Sequence, residues 1–89
     1  MSLLHPSHTG SAITLWLADG RPVRLVHAGT RYRVTDRPTR LEDEDPDLAY
    51  RLGLSGWRFQ GTTSGGQSLM FEIARADTPS GWNLVRCYD

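Results

Sequence analysis

Ile13-Thr14-Leu15-Trp16-Leu17-Ala18-Asp19-Gly20-Arg21-Pro22-Val23-Arg24-Leu25-Val26-His27-Ala28-Gly29-Thr30-Arg31-Tyr32-Arg33-Val34 consists of three short alternating runs separated by two glycine-containing turns. Ile13, Leu15 and Leu17 alternate with Thr14, Trp16 and Ala18. Val23 and Leu25 alternate with Arg24 and Val26, and Tyr32 and Val34 with Arg31 and Arg33. A period of two is the mark of a half-buried strand. A two-residue Asp19-Gly20 turn would set Leu15 opposite Arg24. A three-residue loop, Ala18-Asp19-Gly20, instead sets Leu15 opposite Val23 and Ile13 opposite Leu25, so that register is expected. A two-residue Ala28-Gly29 turn then pairs Leu25 with Tyr32 and Val23 with Val34. It also places Arg24 across from Arg33 and Val26 across from Arg31. Ile13, Leu15, Val23, Leu25, Tyr32 and Val34 form the dry face, and Trp16, Arg24, Arg31 and Arg33 the wet one.

Working outward, residues 1–10 lack periodicity and read as a disordered tail, leaving 11–89 as a single small β domain. Arg37 to Leu54 breaks the strand pattern. Asp45 as N-cap, Pro46 at the first helical position and Gly53 as a stop predict a short helix near 46–52, anchored by Leu48 and Leu52. Trp57 and Phe59, then Leu69, Phe71 and Ile73, resume the strand period across the turn Thr63-Ser64-Gly65-Gly66. After Asp77-Thr78-Pro79-Ser80-Gly81, Trp82 to Tyr88 forms the last strand. About six antiparallel strands in two three-stranded meanders, with one short helix, predict a strongly bent sheet or small barrel. Such curvature also reduces exposed edges.

The segments Asp19-Gly20-Arg21-Pro22-Val23, Tyr32-Arg33-Val34, Gly56-Trp57-Arg58 and Gly81-Trp82-Asn83-Leu84-Val85 resemble a family of small actinobacterial all-β domains of unknown function. The likeness runs from about Ala12 onward. His27 stands where that family often has tryptophan, and the acidic middle is particular to this chain. The resemblance implies a β fold and no established activity.

The chain has 89 residues, and its 10 Lys+Arg positions are all arginine. They balance 10 acids to a formal net charge of zero. Arginine holds phosphates and carboxylates through a planar fork of donors. The arginines cluster between Arg21 and Arg40, where Asp36 is the single acid, and Glu42-Asp43-Glu44-Asp45-Pro46-Asp47 follows at once. A GC-rich coding bias is the plainer source of the missing lysine. An aromatic beside a row of arginines can stack a base and hold its phosphates; an arginine stacked on a surface tryptophan gives the same pattern. The run 42–47 reads as a solvated loop, as a neutraliser of the arginine face, or as a cation site, although it lacks the EF-hand glycine and closing glutamate.

No nucleophile–base motif or phosphate loop is present, so a non-enzymatic module is expected, with no cofactor and no metal. His5 and His8 fall in the tail, and His27 stands alone at a hairpin end. Cys87, the single cysteine, reads as a small core residue. One cysteine and no long apolar run imply a reduced, cytoplasmic protein off the membrane. The expected partner is a protein or single-stranded nucleic acid on Trp16, Arg24, Arg31 and Arg33. The alternative is self-association, with the acidic 42–47 run of one copy on the arginine face of another.

Overall fold

A computed structural model describes residues 13–44, 46–47 and 55–89. They form β1 (Thr14–Ala18), β2 (Arg21–His27), β3 (Thr30–Val34), β4 (Thr39–Arg40), α1 (Leu41–Glu44), β5 (Gly56–Thr62), β6 (Ser68–Arg75) and β7 (Trp82–Tyr88). Every strand pairing is antiparallel, in the order β1-β2-β3-β5-β6-β7, with β4 laid against β5. Two meanders, β1–β3 and β5–β7, meet where Arg33 faces Thr62 and Val34 faces Gly61. The sheet curls strongly into a half-barrel. The Ile13 N–H donates to the Trp82 carbonyl at 3.4 Å where the end strands approach. Among the described residues no ladder joins β1 to β7, so the curl stops short of a closed barrel.

Two bulges help to produce the curl, because an extra residue in one strand bends it and raises its twist. One corrects the expected first hairpin. Asp19 and Gly20 form a two-residue turn, both with positive φ (53° and 77°), and Ala18 faces Arg21. Leu15 nevertheless meets Leu25, because the register slips at Val23 between the pairs Leu17–Pro22 and Trp16–Arg24. Pro22 has no N–H to give to a ladder, and the slip lies beside it. Val23 therefore leaves the dry face and is 42% exposed, while Pro22 is buried. Leu17, beyond the slip, is 44% exposed. The second hairpin takes the expected register, with Ala28 and Gly29 both at positive φ between His27 and Thr30. The other bulge is at Val85, between the pairs Glu72–Arg86 and Ile73–Leu84.

The core lies inside the curl: Ile13, Leu25, Tyr32, Phe59, Phe71, Ile73, Trp82 and Leu84, with Leu15, Val34, Trp57, Leu69 and Cys87 packed against it. Phe71 joins the two meanders, its ring centroid 4.8 Å from Tyr32 and 5.9 Å from Phe59. His27, at the hairpin end as expected, is buried and meets Phe71 edge-on at 6.3 Å.

The helix starts earlier than its caps suggest. Leu41 is buried, and Glu42 accepts from the Gly56 N–H (3.3 Å) and Ser55 Oγ (3.4 Å), which ties the turn to β5 before Pro46. Pro46 and Asp47 are also helical. The remainder of the helix expected over 46–52, and the tail 1–10, lie outside the described residues.

Burial raises the Cys87 thiol above its ordinary 9.0, with Asp89 adding to the effect. It raises the Tyr32 phenol above 10.0, helped by Cys87. Both groups keep their protons longer when folded, so between the unfolded and folded values the unfolded chain holds fewer protons and stability falls as pH rises. This contribution is fully present below about pH 9 and is lost upward through the raised values. Urea midpoints should therefore drop as pH rises above about 9, and Cys87→Ala should remove the earlier part of the drop.

Candidate functional site

The outer side of the first meander carries an uncompensated positive face. Trp16 pairs across the sheet with Arg24, Arg24 with Arg33, Arg33 with Thr62, and Thr62 with Ser68. These residues thus form one row, perpendicular to the strands, from the β1 edge to β6. Thr14, Val26 and Arg31 form the next row. Trp16, Arg24, Arg31 and Arg33 are all exposed, Trp16 to 44%. The face lies on the convex side of the curl, opposite the core. Val23 joins it through the bulge, beside Arg24. Alternation alone could not reveal this, although Pro22 was the available signal.

The arginines divide sharply. Arg58 Nε lies 3.7 Å from Glu72 Oε2 and 3.2 Å from Tyr88 Oη. Arg86 grips Glu72 with both arms, Nε at 3.2 Å and Nη2 at 2.9 Å, and its guanidinium lies 5.0 Å from the Tyr88 ring. Tyr88 Oη donates to Glu72 Oε2 at 3.2 Å. Glu72 is thus 7% exposed and fully partnered, on the outer side of the second meander. Arg75 lies over Trp82 and Arg40 over Trp57, each at 5.0 Å, and Arg40 also meets Glu42 at 4.0 Å. By contrast, among the described residues Arg21, Arg24, Arg31, Arg33 and Arg37 make no ion pair, side-chain hydrogen bond or ring contact.

The same division separates the tryptophans. Trp57 and Trp82 are each covered by an arginine, whereas no cation lies over Trp16 among the described residues. Arginine–tryptophan stacking therefore occurs at half-buried Trp57 and buried Trp82, and not at the exposed Trp16.

Asp36 and Glu42 are occupied elsewhere. Asp36 Oδ1 accepts from the Gln60 N–H at 2.8 Å and pins β3 to β5. Of the acidic run, Glu42 is held by Arg40, Ser55 and Gly56, and its carboxyl lies below the ordinary 4.5, chiefly through hydrogen bonding to its own backbone N–H. Asp43 is exposed. Neither is paired with the arginine row.

Sequence reasoning missed the row's neutral half. Thr62 Oγ1 lies 2.7 Å from Ser68 Oγ and 2.8 Å from Thr35 Oγ1, a chain of hydroxyls continuing the line of Arg24 and Arg33. Only the β3–β5 pairing, distant in sequence, brings it there. At the turn end of the first hairpin an open depression of about 570 Å³ is lined by Asp19, Arg21, Pro22, Val23, Val34 and Asp36, among others. Its two carboxylates beside one guanidinium do not extend the basic face. Among the described residues no group of three or more His, Cys, Asp or Glu side chains is placed to hold a metal ion. None of their helices is long and apolar enough to cross a membrane.

Compared with family models, with curated proteins and with solved structures, the chain finds no match.

Proposed function

We propose that this domain is a non-enzymatic binding module that docks a polyanionic partner, protein or nucleic acid, on the outer face of β1–β3. Trp16, Arg24, Arg31 and Arg33 carry the contact. The reading rests on one observation: Arg24 and Arg33 face each other without an acid, while Arg40, Arg58, Arg75 and Arg86 all have partners inside the domain. Directly opposed like charges cost roughly 0.2–1 kcal/mol, and an anion bound between them reverses the sign. The likeness to small actinobacterial β domains adds no activity, and a cytoplasmic location suits the lone, half-buried Cys87.

The test uses polyglutamate and oligo(dT) as the two kinds of polyanion, at low salt. Arg24→Ala with Arg33→Ala should weaken binding of whichever polymer is held by about tenfold or more. Arg75→Ala, which only uncovers Trp82, should leave it unchanged. Failure of both polymers to bind at low salt removes the reading.

Self-association is the second reading, favoured by an exposed Asp43 with no ion pair among the described residues and by an arginine face lacking acids. The acidic 42–47 run of one copy would meet the arginine face of another. Sedimentation at low and high salt tests it: a monomer at both, at high protein concentration, rules it out.

A further inference from the structure

Resting on that reading, we infer that the partner is a single-stranded nucleic acid, with a base stacked on Trp16 and its backbone led over Arg24 and Arg33 toward Thr62 and Ser68. Charge alone would suit an acidic peptide equally well. The selective feature is the open indole at the end of the row. In this domain a tryptophan near an arginine is elsewhere covered by it, as Trp57 is by Arg40 and Trp82 by Arg75. Trp16 has an arginine as its direct cross-strand neighbour, yet no cation over it among the described residues. A planar aromatic surface next to guanidinium groups is the platform on which bases stack while their phosphates are neutralised.

The other end of the row agrees. The hydroxyls of Thr35 and Ser68 each lie within 2.8 Å of the Thr62 hydroxyl, and the three can turn outward to phosphate or sugar oxygens and add no charge. From Trp16 to Ser68 the row crosses four inter-strand steps, about 19 Å along the sheet at ~4.8 Å per step. That length suits a site of about four nucleotides, the lower end for a small β domain. A duplex is a poorer fit. Its bases are already stacked and cannot lie on Trp16, the face is convex with no helix or ribbon to enter a groove, and the net charge of zero gives weak long-range attraction.

The experiment titrates oligo(dT) and oligo(U) of about eight nucleotides, a duplex of the same length and polyglutamate of matched charge into the full chain. Wild type, Trp16→Ala and Trp16→Phe are compared. The single strands should bind more tightly than the duplex and polyglutamate, and the tighter of the two names the sugar. Trp16→Ala should weaken single-strand binding by about 5- to 150-fold, and Trp16→Phe, which keeps a ring, by about threefold at most. Whatever polyglutamate affinity exists should be the same in all three proteins. The Trp16 indole N–H resonance, assigned by its loss in Trp16→Phe, should shift on adding single strand. Because Trp16 is exposed, both variants should keep the wild-type circular dichroism. Single strands held equally by wild type and Trp16→Ala overturn the inference, as does tighter binding of polyglutamate or duplex. In either case the broader anion-docking reading survives, whereas failure of every polymer to bind removes both.

Discussion

Phe71→Ala should remove a large share of the domain's stability. The Phe71 ring is fully buried, and it touches Tyr32 from the first meander and Phe59 from the second. Its removal takes away apolar area and leaves a space between the two halves of one curled sheet, which cannot collapse without losing register. Phe→Ala changes in such places cost about 3–5 kcal/mol. A domain of this size has a total stability of roughly 4–13 kcal/mol. The melting temperature should fall by about 12–40 °C, since each kcal/mol shifts it by about 4–8 °C. Thermal circular dichroism reads this directly. A shift of less than about 5 °C would mean that the meanders do not share one core.

Gly56→Ala should be comparably damaging for a different reason. A Cβ at Gly56 would sit 1.8 Å from the Ile73 carbonyl oxygen and 2.7 Å from the Ala74 Cα. Both are backbone atoms, so no rotamer change relieves the clash, and β5 must move off β6 at the Gly56–Ala74 pair. The same shift pulls on the Glu42 bond to the Gly56 N–H and on the 2.8 Å bond from the Arg75 N–H to the Ser55 carbonyl. The cost should reach about 3 kcal/mol or more, the upper end for overpacked cores. Gly61→Ala is the informative comparison. Its Cβ would meet Phe71 Cε2 at 2.8 Å and Tyr32 Cβ at 3.0 Å, and the ring can swing by a few tenths of an ångström. Urea titrations should place Gly61→Ala clearly above Gly56→Ala in stability. The reverse order would contradict the β5–β6 packing described.

The hairpins could be read because period-two alternation and two glycine turns agree on which residues face inward. What alternation does not count is the number of residues between turn and pair. The slip at Val23 therefore leaves no mark in the alternation, and a three-residue loop is the register that alternation offers for bringing aliphatic residues together. The structure does this with a tight turn plus a bulge. β4 has two residues, too few to show any period. The helix start depends on Glu42 reaching Gly56, a contact across a sequence gap that capping rules do not see. The exposure of Trp16, Arg24, Arg31 and Arg33 follows from the same alternation. Which arginines have partners does not, because Glu72 meets Arg58 and Arg86 only through the pairing of three strands. That division, invisible in the chain, gives the Arg24–Arg33 face its meaning.

The most direct measurement is the salt dependence of oligo(dT) binding to wild type and to Arg24→Ala/Arg33→Ala. Each neutralised phosphate contributes about 0.7 to the slope of log K against log salt for a single strand. The wild-type affinity should fall steeply with salt, and the double variant should bind more weakly with a slope flatter by about 1.4. Equal slopes for the two proteins, or a wild-type affinity indifferent to salt, would contradict an arginine face that holds a nucleic-acid backbone.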